Sequence, residues 1–374
     1  MRFETRAIHA GLDSANAARA IVPPVYHSTI YELNEAGKQD DELLYSRLDN
    51  PNRRQWEALA ASLEGGAAAA AFASGIAAAA AVLQALEPGD HVIFPEDLYS
   101  GHRMMITGLM NRWKLETSFT DATNPDAVRA AIRPNTRLIW METPSNPMLR
   151  ITDIAAVCEL ARSRGLLSCV DNTWPTPVNQ LPLALGADLV MHSSTKYFGG
   201  HSDTLGGLVI AREDGELMER IRFIQRLGGA VPSPQDCWML ARSTRTLAYR
   251  MKGHNEHGMM LARFLDTHPA VEAVYYPGLE SHPGYGVAAR QMQHFGGMIS
   301  FLVKGDAPLA LKVVSGSELI KRATSLGGVE SSWEHRLSTE GEGSKTPGNL
   351  IRFSVGLEHP EDLKEDLNRA LSVI

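Results

Sequence analysis

Cysteine is scarce in this chain. Its 374 residues contain three (Cys158, Cys169 and Cys237), none in a CxxC pair. Neither a disulfide framework nor a cysteine-rich zinc site is expected, and reduced thiols in the cytoplasm are the simpler reading. Positive charge is not in excess either. Lys and Arg total 36 against 43 Asp and Glu, a net charge of -7, so the basic signature of a nucleic-acid partner is missing. The start, MRFETRAIHAG, carries charges where a secretory signal needs an apolar core. His9, His27, His192 and His201 form no pair with metal-ligand spacing beside carboxylates, so no metal is expected. The GG pairs at 199-200 and 206-207 lack the GxGxxG form that a nicotinamide site needs. No solenoid period appears.

One long uncharged run stands out, AAAAAFASGIAAAAAVLQAL from Ala67 to Leu86. It is long enough to span a bilayer, but alanine gains little in lipid and Ser74-Gly75 interrupts it. The reading adopted is a buried strand, a turn and a tightly packed helix, with no membrane contact.

The first fifty residues, with PP at 23-24 and the polar patch EAGKQDDE, read as an irregular arm. NRRQWEALAASLEG then has helical spacing. HVIFPE, LETSFTD, RLIWMETP, LLSCVDNTW and ADLVMHSS read as strands, with MMITGLMNRW, DAVRAAI and DIAAVCELARSRG as helices between them. Repeated βα units imply a mostly parallel sheet covered on both faces. SPQDCWMLARSTRTLAYRMKGHNEHGMMLARFLDTHP reads as one long helical stretch. The strands GGMISFLV and LIRFSVGLE, with helices APLALKVVSGS and PEDLKEDLNRALSVI, suggest a smaller α+β domain. The expected organisation is an arm over 1-50, a large domain over 51-248 and a small one over 249-374.

In open α/β sheets ligands gather beyond the carboxyl ends of the strands. Glu142 and Asn146 in METPSNP, Asp171 in VDNTW, and Ser193, Thr195 and Lys196 in HSSTK all follow strands, and should converge on one crevice. A carboxylate and an amine there are costly to bury without partners. A buried Asp-Lys ion pair would satisfy them. So would a pyridoxal phosphate (PLP) site, in which the lysine forms a Schiff base with the aldehyde and the carboxylate keeps the pyridine nitrogen protonated. Hydroxyls and N-H groups for the phosphate are at hand in Ser193, Thr195 and Ser74-Gly75-Ile76, and Tyr99 in DLYSG offers a ring to stack.

YSRLDNP, FASGIAA, ETPSNP, DNTW, SSTKYFGGHSD, SLGGVES and LIRFSVGLE, in this order, resemble the PLP-dependent trans-sulfuration (Cys/Met metabolism) family across nearly the whole chain. The resemblance implies fold type I, aspartate aminotransferase-like. It implies that Lys196 carries the cofactor and shuttles protons, that Asp171 pairs with the pyridine nitrogen, and that Tyr99 stacks on the ring. Gly75, Ile76, Ser193 and Thr195 would cradle the phosphate. Tyr45 and Arg47 would reach the phosphate of a neighbouring subunit, implying at least a dimer and, as a dimer of dimers, a homotetramer. Arg352 would hold the substrate α-carboxylate, helped by Asn146 and Ser325.

The implied reaction is γ-elimination or γ-replacement on an amino acid such as cystathionine or an O-acylhomoserine. A cystathionine β-lyase is the alternative, an aminotransferase of the same fold another, and a non-enzymatic PLP-binding protein the last. Thr324 stands where γ-enzymes of the family carry glutamate, and SSWEHRLSTEGEGSKTPG replaces the usual PAxMTH segment. That stretch reads as an acidic loop near the substrate mouth. Either it is solvated, or Glu334, Glu340 and Glu342 favour a cationic distal end, as in canavanine.

Overall fold

In the computed structural model, residues 1-12, 20-38, 43-341 and 344-374 are described. Two sheets organise them. The larger has seven strands: β1 (Ala68–Phe72), β2 (His91–Pro95), β3 (Glu116–Thr120), β4 (Thr136–Glu142), β5 (Leu167–Asp171), β6 (Leu189–His192) and β7 (Gly207–Ala211). Their spatial order is β1-β7-β6-β5-β4-β2-β3. From β3 to β6 every pairing is parallel, whereas β7 runs antiparallel to both β6 and β1. Except for the edge strand β3, these strands are almost wholly buried, as expected for a sheet covered by helices on both faces. Ile93, Met141, Val170, Val190 and Ile210 face one way, against Trp56 and Leu63 of the helix Pro51–Glu64. Val92, Trp140, Cys169, Leu189 and Val209 face the other, against Ala78, Ala79 and Val82 of the helix Gly75–Gln84.

The alanine run folds as strand, turn and helix because Ser74 caps it. The Ser74 hydroxyl accepts the Ala77 N–H at 3.2 Å, so a good helix former starts immediately after a buried strand. Among the described residues no helix is long and apolar enough to cross a membrane.

The smaller sheet contains β8 (Val271–Tyr275), β9 (Met298–Val303), β10 (Lys321–Arg322), β11 (Ser332–His335) and β12 (Leu350–Ser354), in the order β10-β11-β12-β9-β8. Phe301, Trp333 and Phe353 form its core with Leu363 and Leu367 of the helix Pro360–Leu371.

Several elements depart from the sequence reading. The amino-terminal arm is not wholly irregular: Phe3–His9 is a helix, and its Ala7 is buried against the large core. The long helical stretch is two helices, Pro234–Thr244 and Leu247–Asp266. Hydroxyls explain the break. Thr244 and Thr246 bond to the carbonyls of Leu240 and Ser243, competing with the backbone ladder. Strands β7, β8, β10 and β11 have no counterpart in the sequence reading. Residues 39-42 of the polar patch, and Glu342, lie outside the described residues.

Candidate active site

The parallel strands deliver their polar residues to one end of the large sheet. Glu142 ends β4 and sits in register beside Asp171, which ends β5. Lys196 follows β6, and Tyr99 follows β2 just ahead of the helix Ser100–Met104. Arg352 arrives from the other sheet, in the middle of β12. A cavity of about 240 Å³ brings together Gly75, Ile76, Tyr99, Asn146, Asp171, Ser193, Thr195, Lys196, Thr324, Ser325 and Arg352.

Lys196 Nζ donates to Ser325 Oγ at 2.6 Å. Burial, and then the positive charge of Arg352, lower its amine from 10.5 to about 8. Ser325 holds the left-handed backbone conformation, with φ of 78°, which costs a non-glycine residue of order 1–3 kcal/mol. That conformation lets its hydroxyl meet the lysine while its carbonyl accepts from Arg352 Nη2 at 3.1 Å. Arg352 Nη1 donates to Asn146 Oδ1 at 2.9 Å, and Glu334, directly opposite across the β11–β12 ladder, pairs with its Nη2. The guanidinium is thus fixed as a fork between two sheets. Burial lowers its pKa to about 10.

Asp171 Oδ1 accepts both the N–H of Thr173, at 3.0 Å, and its hydroxyl, at 2.5 Å. The same hydroxyl oxygen accepts the Ser193 N–H at 2.9 Å, tying the carboxylate to the lysine segment. Glu142 accepts the Tyr99 N–H with both oxygens, at 3.0 and 3.2 Å. Burial, and then the charge of Asp171, raise Glu142 to about 7. His192, which opens the lysine segment, does not serve the cavity; its Nε2 meets the buried Glu64 at 2.6 Å.

The cavity wall fits PLP. The amino end of the helix Gly75–Gln84 presents the N–H groups of Gly75 and Ile76, for which an intrahelical acceptor is lacking. A Cβ at Gly75 would stand 2.8 Å from Ser193 Cβ, so only glycine lets a phosphate approach this cradle closely. Hydroxyls come from Ser193 and from Thr195, which in this structure donates to the Gly206 carbonyl at 3.2 Å. An amine, a carboxylate, an aromatic ring and an anion cradle within one crevice are the donor set that PLP requires.

Tyr45 and Arg47 do not join that cavity. Tyr45 is 39% exposed; the Arg47 guanidinium lies 5.6 Å from its ring and donates to the Arg226 carbonyl at 2.5 Å.

The acidic-loop reading is corrected. Glu334 belongs to strand β11 and is buried; its Oε1 accepts from Arg336 Nη1 at 3.0 Å as well as from Arg352. Glu340 accepts from Arg336 Nε at 3.0 Å and from the hydroxyls of Ser344 and Thr346. Both carboxylates are matched by arginines, so neither is a free receptor for a cation, nor is either solvated. Sequence reasoning missed Arg336, which lines the cavity, because a buried Glu–Arg ladder reads as a solvated charge run. It also missed His102, whose only sequence signal was its place three residues after Tyr99.

Fold and crevice together define a PLP-dependent enzyme of fold type I. Residues 4–372 match the family described as Cys/Met metabolism PLP-dependent enzyme. The chain is 44% identical over 373 residues to the cystathionine gamma-synthase of Mycobacterium tuberculosis (strain ATCC 25618 / H37Rv), covering 98% of this chain and 96% of that protein. It is 41% identical over 378 residues to the cystathionine beta-lyase of Coxiella burnetii, covering 99% and 97%. The crystal structure of cystathionine gamma-lyase from Lactobacillus plantarum complexed with L-serine superimposes with a TM-score of 0.93 at 39% identity, covering 100% of this chain and 99% of that one. The chain belongs to the Cys/Met metabolism PLP-dependent enzyme family.

Proposed function

We propose that this enzyme catalyses elimination or replacement at Cγ of L-amino acids, with cystathionine or an O-acylhomoserine as substrate class. The observation that carries the reading is the triangle of Lys196, Ser325 and Arg352, in which one serine joins the proton-transfer amine to the carboxylate-binding fork. Bound PLP supplies an electron-accepting ring for the negative charge that develops at the substrate Cα. Gly75, Ile76, Ser193 and Thr195 would hold its phosphate, Asp171 would pair with its ring nitrogen, and Tyr99 would stack on its ring.

The chain's own residues do the rest. Arg352 binds the substrate α-carboxylate, held at the correct height by Asn146 and the Ser325 carbonyl. Lys196 removes the Cα proton and, for a γ-leaving group, a second proton at Cβ. A pKa of about 8 places this amine close to the working range of a general base. The Tyr99 hydroxyl moves the proton that the departing group needs.

A β-lyase is the second reading. Thr324, a hydroxyl residue in the cavity wall, favours it, because a single deprotonation at Cα suffices for loss of a Cβ substituent. Incubating the PLP-loaded protein with cystathionine separates the two: 2-oxobutyrate supports γ-elimination, and pyruvate overturns it in favour of the β-lyase.

The reading includes a homo-oligomer, a dimer of dimers, in which Tyr45 and Arg47 serve the phosphate of a neighbouring copy. Their position outside their own cavity supports it. Light scattering, together with the PLP affinity of Arg47→Ala, tests it; a monomer with unaltered affinity refutes it. Three buried free thiols support a cytoplasmic location.

A further inference from the structure

His102 is the histidine that the reaction scheme leaves unused, yet it lines the same cavity. It stands between the ends of two neighbouring parallel strands. Its Nδ1 is 3.8 Å from Glu142 Oε2 and 3.9 Å from Asp171 Oδ2, and ligand atoms of the three residues lie within 4.8 Å of one another. All three side chains are buried. An ionised carboxylate only accepts, so the nitrogen that faces Asp171 Oδ2 is placed to carry the proton. This Nδ1 has no hydrogen-bond partner among the described residues, which is uncommon for a buried ring nitrogen. Its ring is fixed edge-on by Tyr99 at 5.4 Å and by Trp140 at 5.5 Å.

The two carboxylates could not comfortably share this end of the sheet alone. Strand register sets Glu142 directly beside Asp171, and like charges that close in a buried site oppose each other's ionisation. Asp171 Oδ1 is already committed to Thr173, so Oδ2 is the oxygen left for a ligand, and that is the oxygen His102 faces.

We propose that His102 is a positioning residue for the cofactor: its Nδ1–H faces Asp171 Oδ2, keeps that oxygen turned to the cavity, and stands between that carboxylate and Glu142. This rests on the reading that Asp171 meets the pyridine nitrogen. The consequence is that His102 acts through Asp171 to keep the bound ring nitrogen protonated.

The test uses holoenzyme loaded with PLP carrying ¹⁵N in its ring, and reads the ring-nitrogen chemical shift and the dissociation constant for PLP. His102→Phe keeps a ring of similar size but removes the N–H. It should move the signal toward the unprotonated nitrogen and weaken PLP binding about tenfold or more, as expected when a buried polar group facing a carboxylate is removed. His102→Asn, whose amide can stand at the Nδ1 position, should restore much of the protonated signal, while His102→Gln, whose amide reaches further, should not. A His102→Phe signal equal to that of the wild type overturns the proposal. Should His102→Phe fail to load, identical signals from the Asn and Gln variants overturn it. Asp171→Asn separates the two levels. If it leaves the signal unmoved, the Asp171 reading fails and this inference with it; if it shifts the signal where His102→Phe does not, this inference alone fails.

Discussion

The site carries a lysine prepared to react, and the preparation has a sign that can be reversed by substitution. Cofactor attachment needs the neutral amine. At its ordinary 10.5 only roughly 0.03% of the amine is neutral at pH 7; at about 8 the fraction is roughly 9%, a gain of about 300-fold. Burial is the main cause and the Arg352 charge the next, while Glu334 works in the opposite direction. The rate at which apoprotein takes up PLP, followed by the absorbance of the bound cofactor, should therefore rise with pH through a midpoint near 8 and level off above it. Arg352→Gln removes a positive neighbour and should move the midpoint up. Glu334→Gln removes a negative one and should move it down. A midpoint near 10.5 in the wild type, or shifts of the same sign in both variants, would refute the reasoning.

Other expectations follow from the same geometry. Tyr99→Phe, lacking the hydroxyl but retaining the ring, should lower kcat by about 10²-fold or more while leaving PLP affinity near that of the wild type, measured by steady-state turnover and cofactor titration. Asp366 is buried, a condition that by itself would raise its carboxyl. Hydrogen bonds from Ser317, from the N–H groups of Glu318 and Ile320, and from Arg369 prevail and hold it down at about 2. Its contribution to stability is thus present above 3.8 and lost as pH falls through about 2. Asp366→Asn should cost about 1–3 kcal/mol at neutral pH and less in acid, read from thermal unfolding at both. Because Glu340 is spoken for by Arg336, Glu340→Gln should change KM for cationic and neutral γ-substituted amino acids by the same factor. A selective loss for cationic substrates, in steady-state assays of both, would restore the acidic-receptor idea.

The parts of this enzyme legible in its sequence are those set by local chemistry. Ser74-Gly75 within the alanine run reads as a turn between strand and helix, and alternating strands and helices, with polar residues at three successive strand ends, read as a parallel sheet with a site at its carboxyl edge. Lys196, Asp171 and Tyr99 were placed by that logic, with a family resemblance supplying their roles and those of Arg352 and Ser325. What stayed hidden depends on long-range pairing. Strand β11 was missed because Trp333 is buried among polar neighbours whose charges are matched across the ladder at Arg352 and within the turn at Arg336. The break at Arg245–Thr246 was missed because helical periodicity continues through it while side-chain hydroxyls interrupt the backbone. His102 could not be recognised without knowing that β4 and β5 are neighbours, since only that adjacency sets two carboxylates around its ring.

The central claim is that PLP is held at Lys196, and reduction tests it most directly. Holoprotein treated with borohydride, digested and mapped by mass spectrometry should carry the reduced cofactor on the peptide that contains Lys196, with none retained by Lys196→Ala. Cofactor fixed to another lysine, or absent from a protein that nevertheless binds and turns over substrate, would contradict the account.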